Sequence, residues 1–563
     1  MLNIKSFFLK GTICFFALIF PSALEVFAKE YTIVLIPDTQ NYTLNKKNIY
    51  HFKEQIKWII NNKENKNIVL VSHVGDVIAS NLGYFPNNLH LIGFLCNKRN
   101  VDFLKNQSET WEKVRFISDL GNIEDLAFSI SPGNHDYDCK NNKKTLKGFQ
   151  NTINYKKYHK RKWFLGADET GINTAQIFEI NKQEFIHIGL EWQPSNKAIK
   201  FAQKIINEHP KKPVILTTHE YLIVRDNPLP ERCKNSAIGC SWTSSNDNNG
   251  EELFQKLIKN NPQIFMVFSG HNGSKERLII SKNSLDRKVI QIVSDFSGDP
   301  EGGNGWMTLI TFNTDNSSIM INNFSPTYKE EISLGPNRSK QPGQKIIELN
   351  LTELKSFLSK NEVKNFRNGE IHGIKNYTDA KNSNIYQSIL GKKIKSKIPI
   401  FKETILVGKF FGEHIGSLHF KNIIGTKHYQ IPPNSKIEKA ILTLTSNQIS
   451  FSKNYEIGAN GILKFYNKLK IYPIDKPLSK SKNISSINKL KEKIVQDSIN
   501  RFISSGISNT TQSFDVTSEF QKWADGAENS GWLFYVPQGF WNFKSSESTE
   551  LLDRPMLTIV YKK

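Results

Sequence analysis

The chain has 563 residues, of which 38% are hydrophobic and 11% aromatic. That length holds two or more domains with cores of their own, and that composition excludes general disorder. Beyond the N-terminus no apolar run approaches the ~20 residues of a membrane span, which excludes a polytopic membrane protein. The formal charge is +22, from 75 Lys+Arg against 53 Asp+Glu. Only 11 of the basic residues are Arg, the residue whose planar fork usually reads bases and phosphates. A Lys-, Asn- and Ile-rich chain reads more simply as the residue bias of an AT-rich genome, so no specific nucleic-acid partner is expected.

Lys5 and Lys10 precede a short apolar run at 11–20, then Pro21 and the small-residue exit Val26-Phe27-Ala28. This is the layout of a secretory signal peptide over 1–28, implying a secreted or extracytoplasmic protein (periplasm, cell surface or extracellular) with no transmembrane helix in the mature chain. Removing Cys14 leaves Cys96, Cys139, Cys233 and Cys240. An even count in an exported chain favours disulfides, with three connectivities open. A local Cys233–Cys240 clip and a longer Cys96–Cys139 closure are the preferred pair.

From residue 31 onward, five short β-branched runs each end in groups able to bind a metal. Residues 31–37 (YTIVLIP) lead into Asp38-Thr39-Gln40. Residues 68–72 lead into His73-Val74-Gly75-Asp76, and 126–132 into Gly133-Asn134-His135-Asp136. Residues 213–218 lead into His219-Glu220, and 264–269 into Gly270-His271-Asn272-Gly273. Helical patterns at 51–61 and 198–208 fall between them, and strands alternating with helices imply an α/β sheet whose site lies beyond the strands' carboxyl ends. Carboxylates, an amide oxygen and neutral imidazoles suit Mn, Fe, Zn or Mg. Two such ions about 3.5–4 Å apart activate a water and neutralise charge on a phosphoryl group. A lone His or Gly-Asp after a strand is more often structural; five such clusters in succession are not explained by turn chemistry.

At these residues the chain resembles the calcineurin-like metallophosphoesterases, over roughly 29–335. The ordered signature of that family is matched by Asp38, Gly75-Asp76, Gly133-Asn134-His135-Asp136, His219 and Gly270-His271. The resemblance implies a four-layer αββα sandwich with a dinuclear metal site at one edge. It further implies that Asp76 bridges the two ions, that Asn134, His219 and His271 complete one site, and that Asp38 belongs to the other. His135 would serve the leaving oxygen as an acid, with Asp136 orienting its imidazole. Gln40 and Gly273 stand where the family usually has His, so the Asp38 site is expected to be the weaker, with Gln40 offering an amide oxygen. An exported subgroup opening on Pro-Asp-Thr-Gln and closing on Gly-His-x-Gly is similar, as are residues 185–194 (FIHIGLEWQP) and Gly302-Gly303-Asn304-Gly305-Trp306. His73 either orients a ligand or is a strand-end His with a backbone partner. His187 is expected in the core. The excursion from Ser80 to about Gln107 either shapes the substrate site or is a surface loop.

Residues 336–399 read as a polar connector with one amphipathic helix near 351–361. From about 400 to 563 the pattern is strand-like, as at 437–445 (IEKAILTLT) and 556–561 (MLTIVY), which implies an all-β sandwich. Phe514-Asp515-Val516-Thr517, Trp523, Asn529-Ser530-Gly531-Trp532 and Arg554-Pro555 resemble the DNRLRE-type jelly rolls, also classed as carbohydrate-binding module family 96. Trp523 and Trp532 are expected as core anchors, and Trp541, in the polar stretch 538–548, as an exposed glycan contact. The segment carries 22 Lys+Arg against 14 Asp+Glu, which suits an anionic polysaccharide or cell-surface glycan. The reading is an exported metal-dependent phosphoesterase acting on mono- or diesters, with a β-sandwich for glycan or surface attachment. The alternatives are a surface or glycan-binding protein with a catalytically weak hydrolase domain, and an exported nuclease.

Overall fold

The computed structural model describes residues 30–79, 108–140, 143–222, 247–271, 277–314, 317–332, 345–369, 371–372, 375–388, 403–409, 412–446, 455–457, 463–474, 499–505, 511–537 and 540–562. The expected signal segment at 1–28, the excursion at 80–107 and Gly273 lie outside these residues, as do both cysteines of one expected pair and Cys96 of the other.

The N-terminal unit begins β1 (Glu30–Ile36), α1 (Gln40–Leu44), α2 (Ile49–Asn62), β2 (Ile68–His73), β3 (Ala127–Ile130). A small hairpin, β4 (Asp138–Lys140) with β5 (Lys143–Thr145), precedes α3 (Lys147–Ile153), β6 (Phe164–Ala167), β7 (Thr174–Ile180) and β8 (Gln183–Gly189). Then come α4 (Asn196–Glu208), β9 (Val214–Thr217), α5 (Gly250–Leu253), β10 (Ile264–Ser269), β11 (Arg277–Lys282) and β12 (Lys288–Val293). The unit closes with β13 (Met307–Asn313), β14 (Ser318–Ser325), β15 (Glu330–Ile332) and β16 (Lys345–Glu348).

These strands form two sheets. One has the order β15-β14-β13-β1-β2-β3, with β16 also on β14; the other has the order β11-β12-β10-β9-β8-β7-β6. Within the first, β1, β2 and β3 are mutually parallel neighbours. Within the second, β8, β9, β10 and β12 are parallel. Alternation along each strand decides which side is buried against what. In β12, Ile290 and Ile292 join the core shared with the first sheet, while Val289 and Val293 face the helix side. In β10, Met266 and Phe268 join the shared core and Val267 the outer one.

The helices cover the outer faces. Phe52, Ile56 and Ile59 of α2, at helical spacing, are buried against the first sheet's cluster. Ala198, Ile199, Ala202, Ile205 and Ile206 of α4 pack on the second. The Ser195 side chain caps α4 by accepting from the Ala198 N–H, and Asn249 with Glu252 forms a capping box at α5. The layers are therefore helix, sheet, sheet, helix, and the parallel strands bring their carboxyl ends to one edge.

The C-terminal part is β-rich. A four-stranded sheet runs Asn361–Phe366, Met556–Lys562, Lys436–Thr445, Thr511–Asp515. An eight-stranded sheet contains Thr404–Lys409, Gly412–Phe420, Leu463–Pro473, Trp532–Tyr535 and Phe540–Lys544 among others. One cluster takes Leu442, Ile559 and Phe514 from the first and Val407, Leu418 and Phe534 from the second. The two sheets thus enclose a common core.

Two sequence expectations change here. The stretch at 336–399 holds not only the helix Leu351–Lys360 but also strands of the β-rich part. Asn361–Phe366 pairs antiparallel with the last strand, and Ala380–Ser388 with Gly412–Phe420. These residues read as a polar connector because Asn361–Phe366 is an edge strand whose middle residues, Glu362, Val363 and Lys364, are only half buried. The second correction concerns Trp541. It lies on the strand Phe540–Lys544, wholly buried, and its indole N–H donates to Ser446 Oγ at 2.9 Å. It is a core anchor, not an exposed glycan contact. Trp523 and Trp532 are buried as expected, their rings 4.6 Å apart.

The two parts touch directly. Leu552 belongs to the cluster under α4 and α5, Lys256 approaches Asp553 at 3.7 Å, and Thr443 meets Asn260 at 3.4 Å. Among the described residues no helix is long and apolar enough to cross a membrane.

Candidate active site

The parallel order of β1, β2 and β3 delivers Asp38, Asp76 and Asn134 from three adjacent strand ends. β9 and β10 of the facing sheet deliver His219 and His271. Sharp turns let the chain leave each strand toward the common edge: Gly75 has φ +115°, Asp76 +54° and His271 +67°. Two glycines are fixed by close approach. A Cβ on Gly133 would lie 2.1 Å from Asp76 Oδ1, and one on Gly270 would lie 1.9 Å from Asp38 Oδ1.

The six residues expected from sequence as ligands, Asp38, Gln40, Asp76, Asn134, His219 and His271, come together. His219, fully buried, donates from Nδ1 to the Val74 carbonyl at 3.1 Å. Its Nε2 faces Asn134 Oδ1 at 2.9 Å, His271 Nδ1 at 3.0 Å and Asp76 Oδ2 at 3.3 Å. Asp76 Oδ1 accepts from the His135 backbone N–H at 2.8 Å, and its Oδ2 accepts from Gln40 Nε2 at 3.2 Å. Asp38 Oδ2 accepts from the His271 backbone N–H at 3.0 Å. His135 Nε2 lies 3.9 Å from Asp76 Oδ2.

The electrostatics follow from burying these charges together. Burial opposes ionisation of Asp76, but the neighbouring His219 outweighs it and holds the carboxyl well below its usual range. Burial likewise opposes protonation of His219, yet Asp76 and Asp38 raise it to about 10. Asp38 is raised well above the usual carboxylate range, by burial first and then by Asp295. His271 is lowered, chiefly by burial. The imidazolium of His219 thus supplies the positive charge that the carboxylates demand.

A divalent ion fits that role. Four donor atoms, from Asp76, Asn134, His219 and His271, converge on one spot, and the Val74 carbonyl fixes the His219 tautomer that turns its Nε2 inward. Asp76, His219 and His271 offer ligand atoms within 4.8 Å of one another. Asp38 Oδ1 and Gln40 Oε1 are buried acceptors without a hydrogen bond. Such orphans are costly unless a cation takes them.

Two other expected residues take positions that refine their roles. His73 is fully buried and is held near pKa 3 chiefly by burial. Thr39 Oγ1 donates to the Val77 carbonyl and lies 3.0 Å from His73 Nε2, while the Gly75 N–H donates to His73 Nδ1 at 3.1 Å. A neutral His73 therefore ties the turn after Asp38 to the turn before Asp76. Asp136 also makes backbone contacts of its own. Its oxygens accept from the Gly133 and Ile78 backbone N–H groups at 2.8 and 3.1 Å, stitching two ligand turns together. Burial, then Asp76, pushes its carboxyl up to about 8.

The stretch 185–194 buttresses the site. Trp192 Nε1 and Gln193 Nε2 both donate to Glu220 Oε2, beside His219, at 2.8 and 3.0 Å. The Trp192 N–H bonds to the Pro132 carbonyl, next to Gly133. His187 is in the core, between Gln176 and Thr217. Sequence reasoning passed over Asp295, buried at the end of β12. The signal was there: residues 288–295 (KVIQIVSD) form a sixth apolar run ending in a carboxylate.

Residues 31–273 match the family model described as calcineurin-like phosphoesterase. Over these residues the chain matches a calcineurin-like phosphoesterase domain, a class of hydrolase acting on phosphoric esters. In sequence the chain is similar to YvnB of Bacillus subtilis (strain 168), described as an uncharacterized protein. The two are 24% identical over 306 residues, covering 54% of this chain and 20% of YvnB, so the match spans about a fifth of that relative's length. In structure it is similar to a conserved uncharacterized protein of Streptococcus pneumoniae TIGR4, described as a predicted phosphoesterase. That match has 10% identity, covers 57% of this chain and 98% of the other, and has a TM-score of 0.21.

Proposed function

We propose that the chain is an exported, metal-dependent phosphoesterase that hydrolyses phosphate mono- or diesters. The observation that carries this reading is the convergence of Asp76, Asn134, His219 and His271 on one point, beside the orphaned oxygens of Asp38 and Gln40. Divalent ions bound there supply an activated water and neutralise the charge that builds on the phosphoryl group. Asn134, His219 and His271 with Asp76 would hold one ion; Asp38, with Gln40 and the shared Asp76, would hold the other more weakly.

The protein's own groups position the rest. The His135 backbone N–H holds Asp76 Oδ1 at 2.8 Å, fixing the carboxylate that both ions would share. The His135 ring, on the turn Asn134–Asp136, stands beside Asp76, with Nε2 3.9 Å from Oδ2, where it would serve the departing oxygen as the general acid. Asp136 and His73 keep the three ligand turns in register. Export is supported by the signal-like segment at 1–28. Surface or glycan attachment by the β-rich part is supported by its sequence resemblance and excess of lysine, and no longer by Trp541.

The test is hydrolysis with Mn of bis-p-nitrophenyl phosphate, p-nitrophenyl phosphate, nucleotides and single-stranded DNA, comparing wild type with Asp76→Ala and His135→Ala. Hydrolysis that both substitutions abolish is expected. Absence of any mutation-sensitive turnover would favour a glycan- or surface-binding protein with a weak hydrolase domain, and strong preference for DNA an exported nuclease.

A further inference from the structure

Gln40 and Gly273 leave the Asp38 side of the centre without the two imidazoles that complete its counterpart. A cation held only by Asp38, one oxygen of Asp76 and an amide would be poorly ligated, since hard divalent ions take about six oxygens. The structure brings one more carboxylate to that side.

Asp295 follows β12, the parallel neighbour of β10. Ser269 is in register with Val293, and the Ser294 N–H donates to the Ser269 carbonyl at 2.9 Å. Continuing that register sets Asp295 alongside His271, whose own backbone N–H holds Asp38. From the other side, Asn41 Nδ2 donates to the Ser297 carbonyl at 2.6 Å, and the Ser297 N–H donates to Asp295 Oδ1 at 2.9 Å. The turn 295–297 is thereby hooked to α1, the helix that begins with Gln40. Asp295 is only 1% exposed, and on the turns that this register and hook bring near it, Asp38 Oδ1 and Gln40 Oε1 are buried and receive no hydrogen bond.

The charges agree with this placement. Asp295 acts on Asp38 more strongly than Asp76 does, and it also acts on His271. Three buried carboxylates and an unsatisfied amide oxygen form an arrangement that a cation stabilises and that nothing apolar could replace cheaply.

We propose that Asp295 is a third carboxylate ligand of the Asp38 cation site, giving that site an all-oxygen ligand set suited to Mg or Mn. The proposal rests on the metal-dependent reading above and adds a residue to it. The two ions then have different chemistry: one is held partly by imidazole, the other by oxygen alone.

The test is titration of chelator-treated full-length protein with Mn, followed by calorimetry and by electron paramagnetic resonance, on wild type, Asp295→Ala and Asp295→Asn. Wild type is expected to bind a tight and a weaker ion, with a spin-coupled signal when both are present. Asp295→Ala is expected to keep the tight ion, weaken the second by more than ~100-fold and lose the coupled signal; the 10–100-fold range is what a non-ligating neighbour gives. Asp295→Asn, which keeps an oxygen but not the charge, is expected to fall between. If alanine and asparagine weaken the second ion equally and by ~100-fold or less, Asp295 is only an outer charge and turn cap, and the proposal is overturned. It is overturned too if wild type binds a single ion at saturating Mn, although the metal-dependent function would then stand. If wild type binds no Mn at all, that function itself fails. Retention of the tight ion and of the far-UV circular dichroism separates lost ligation from misfolding, and the isosteric asparagine carries the comparison should alanine not fold.

Discussion

Replacing Gly133 by alanine adds one methyl group at the centre of the site. Gly133 sits at φ −97°, ψ −178°, a conformation any residue adopts, so the backbone itself is not strained. The effect is steric. The new Cβ would lie 2.1 Å from Asp76 Oδ1 and 2.4 Å from the Asp76 backbone nitrogen, whereas comfortable contacts lie at about 3.5 Å. More than about 1 Å of movement must be found. Rotating the carboxylate does not release it, because the backbone nitrogen is blocked as well and the His135 N–H holds Oδ1 at 2.8 Å. Overpacking of this kind costs roughly 1–3 kcal/mol of stability. A displacement of about 1 Å in a positioned catalytic group costs roughly 100-fold in rate, near 2.7 kcal/mol of barrier. Gly133→Ala should therefore lower kcat/KM on bis-p-nitrophenyl phosphate about 100-fold and reduce bound metal after dialysis. Steady-state kinetics, metal analysis and a thermal melt read these out together. Activity within a few-fold of wild type, with unchanged metal content, would refute the close packing of the β2 and β3 turns on which the site depends.

Removing metal with a chelator should lower the melting temperature of the N-terminal domain, and Mn at 100 times its Kd should restore about 2.7 kcal/mol; a melt indifferent to Mn would count against the site. Trp541→Ala should destabilise the β-rich part by about 3–5 kcal/mol, measured by urea unfolding, because it empties a core position and strands Ser446. Were Trp541 a surface group, the change would be within about 0.5 kcal/mol. His187 is lowered from 6.5 to about 3 by burial, so the unfolded chain binds its proton more readily. Stability contributed by the neutral ring is complete above pH 6.5 and declines as pH falls toward 3, by up to ~1.4 kcal/mol per pH unit. His187→Gln should flatten that decline between pH 7 and 5, and an unchanged slope would show that the ring takes up its proton in the folded state.

The ligand clusters were legible because each one interrupts an apolar strand abruptly, and parallel strand order makes such interruptions meet in space. Asp295 ended a sixth run in the same way, but a single Asp with no Gly or His beside it looked like an ordinary strand end. The roles of Asp136 and His73 were not legible, because they depend on which backbone N–H groups face them after folding. Sequence showed Asp136 as a member of a motif and His73 as a residue at a strand end, and neither as a tie between turns. The C-terminal boundary slipped for a different reason. An edge strand needs few apolar residues, so Asn361–Phe366 looked like linker. Trp541 was misplaced by its polar neighbours, since Asn542 and Ser545 are themselves buried.

The pairing of Asn361–Phe366 with Met556–Lys562, six residue pairs from Asn361↔Lys562 to Phe366↔Leu557, sets where this protein can be cut. A fragment beginning at 400 would leave one side of the Met556–Lys562 strand open, its backbone donors and acceptors ready to recruit a second copy of itself. Protein retained on a polysaccharide column in that form would report self-association as readily as recognition. Dissecting the β-rich part cleanly requires keeping the strand that arrives before it, so the seam of the molecule lies near residue 360.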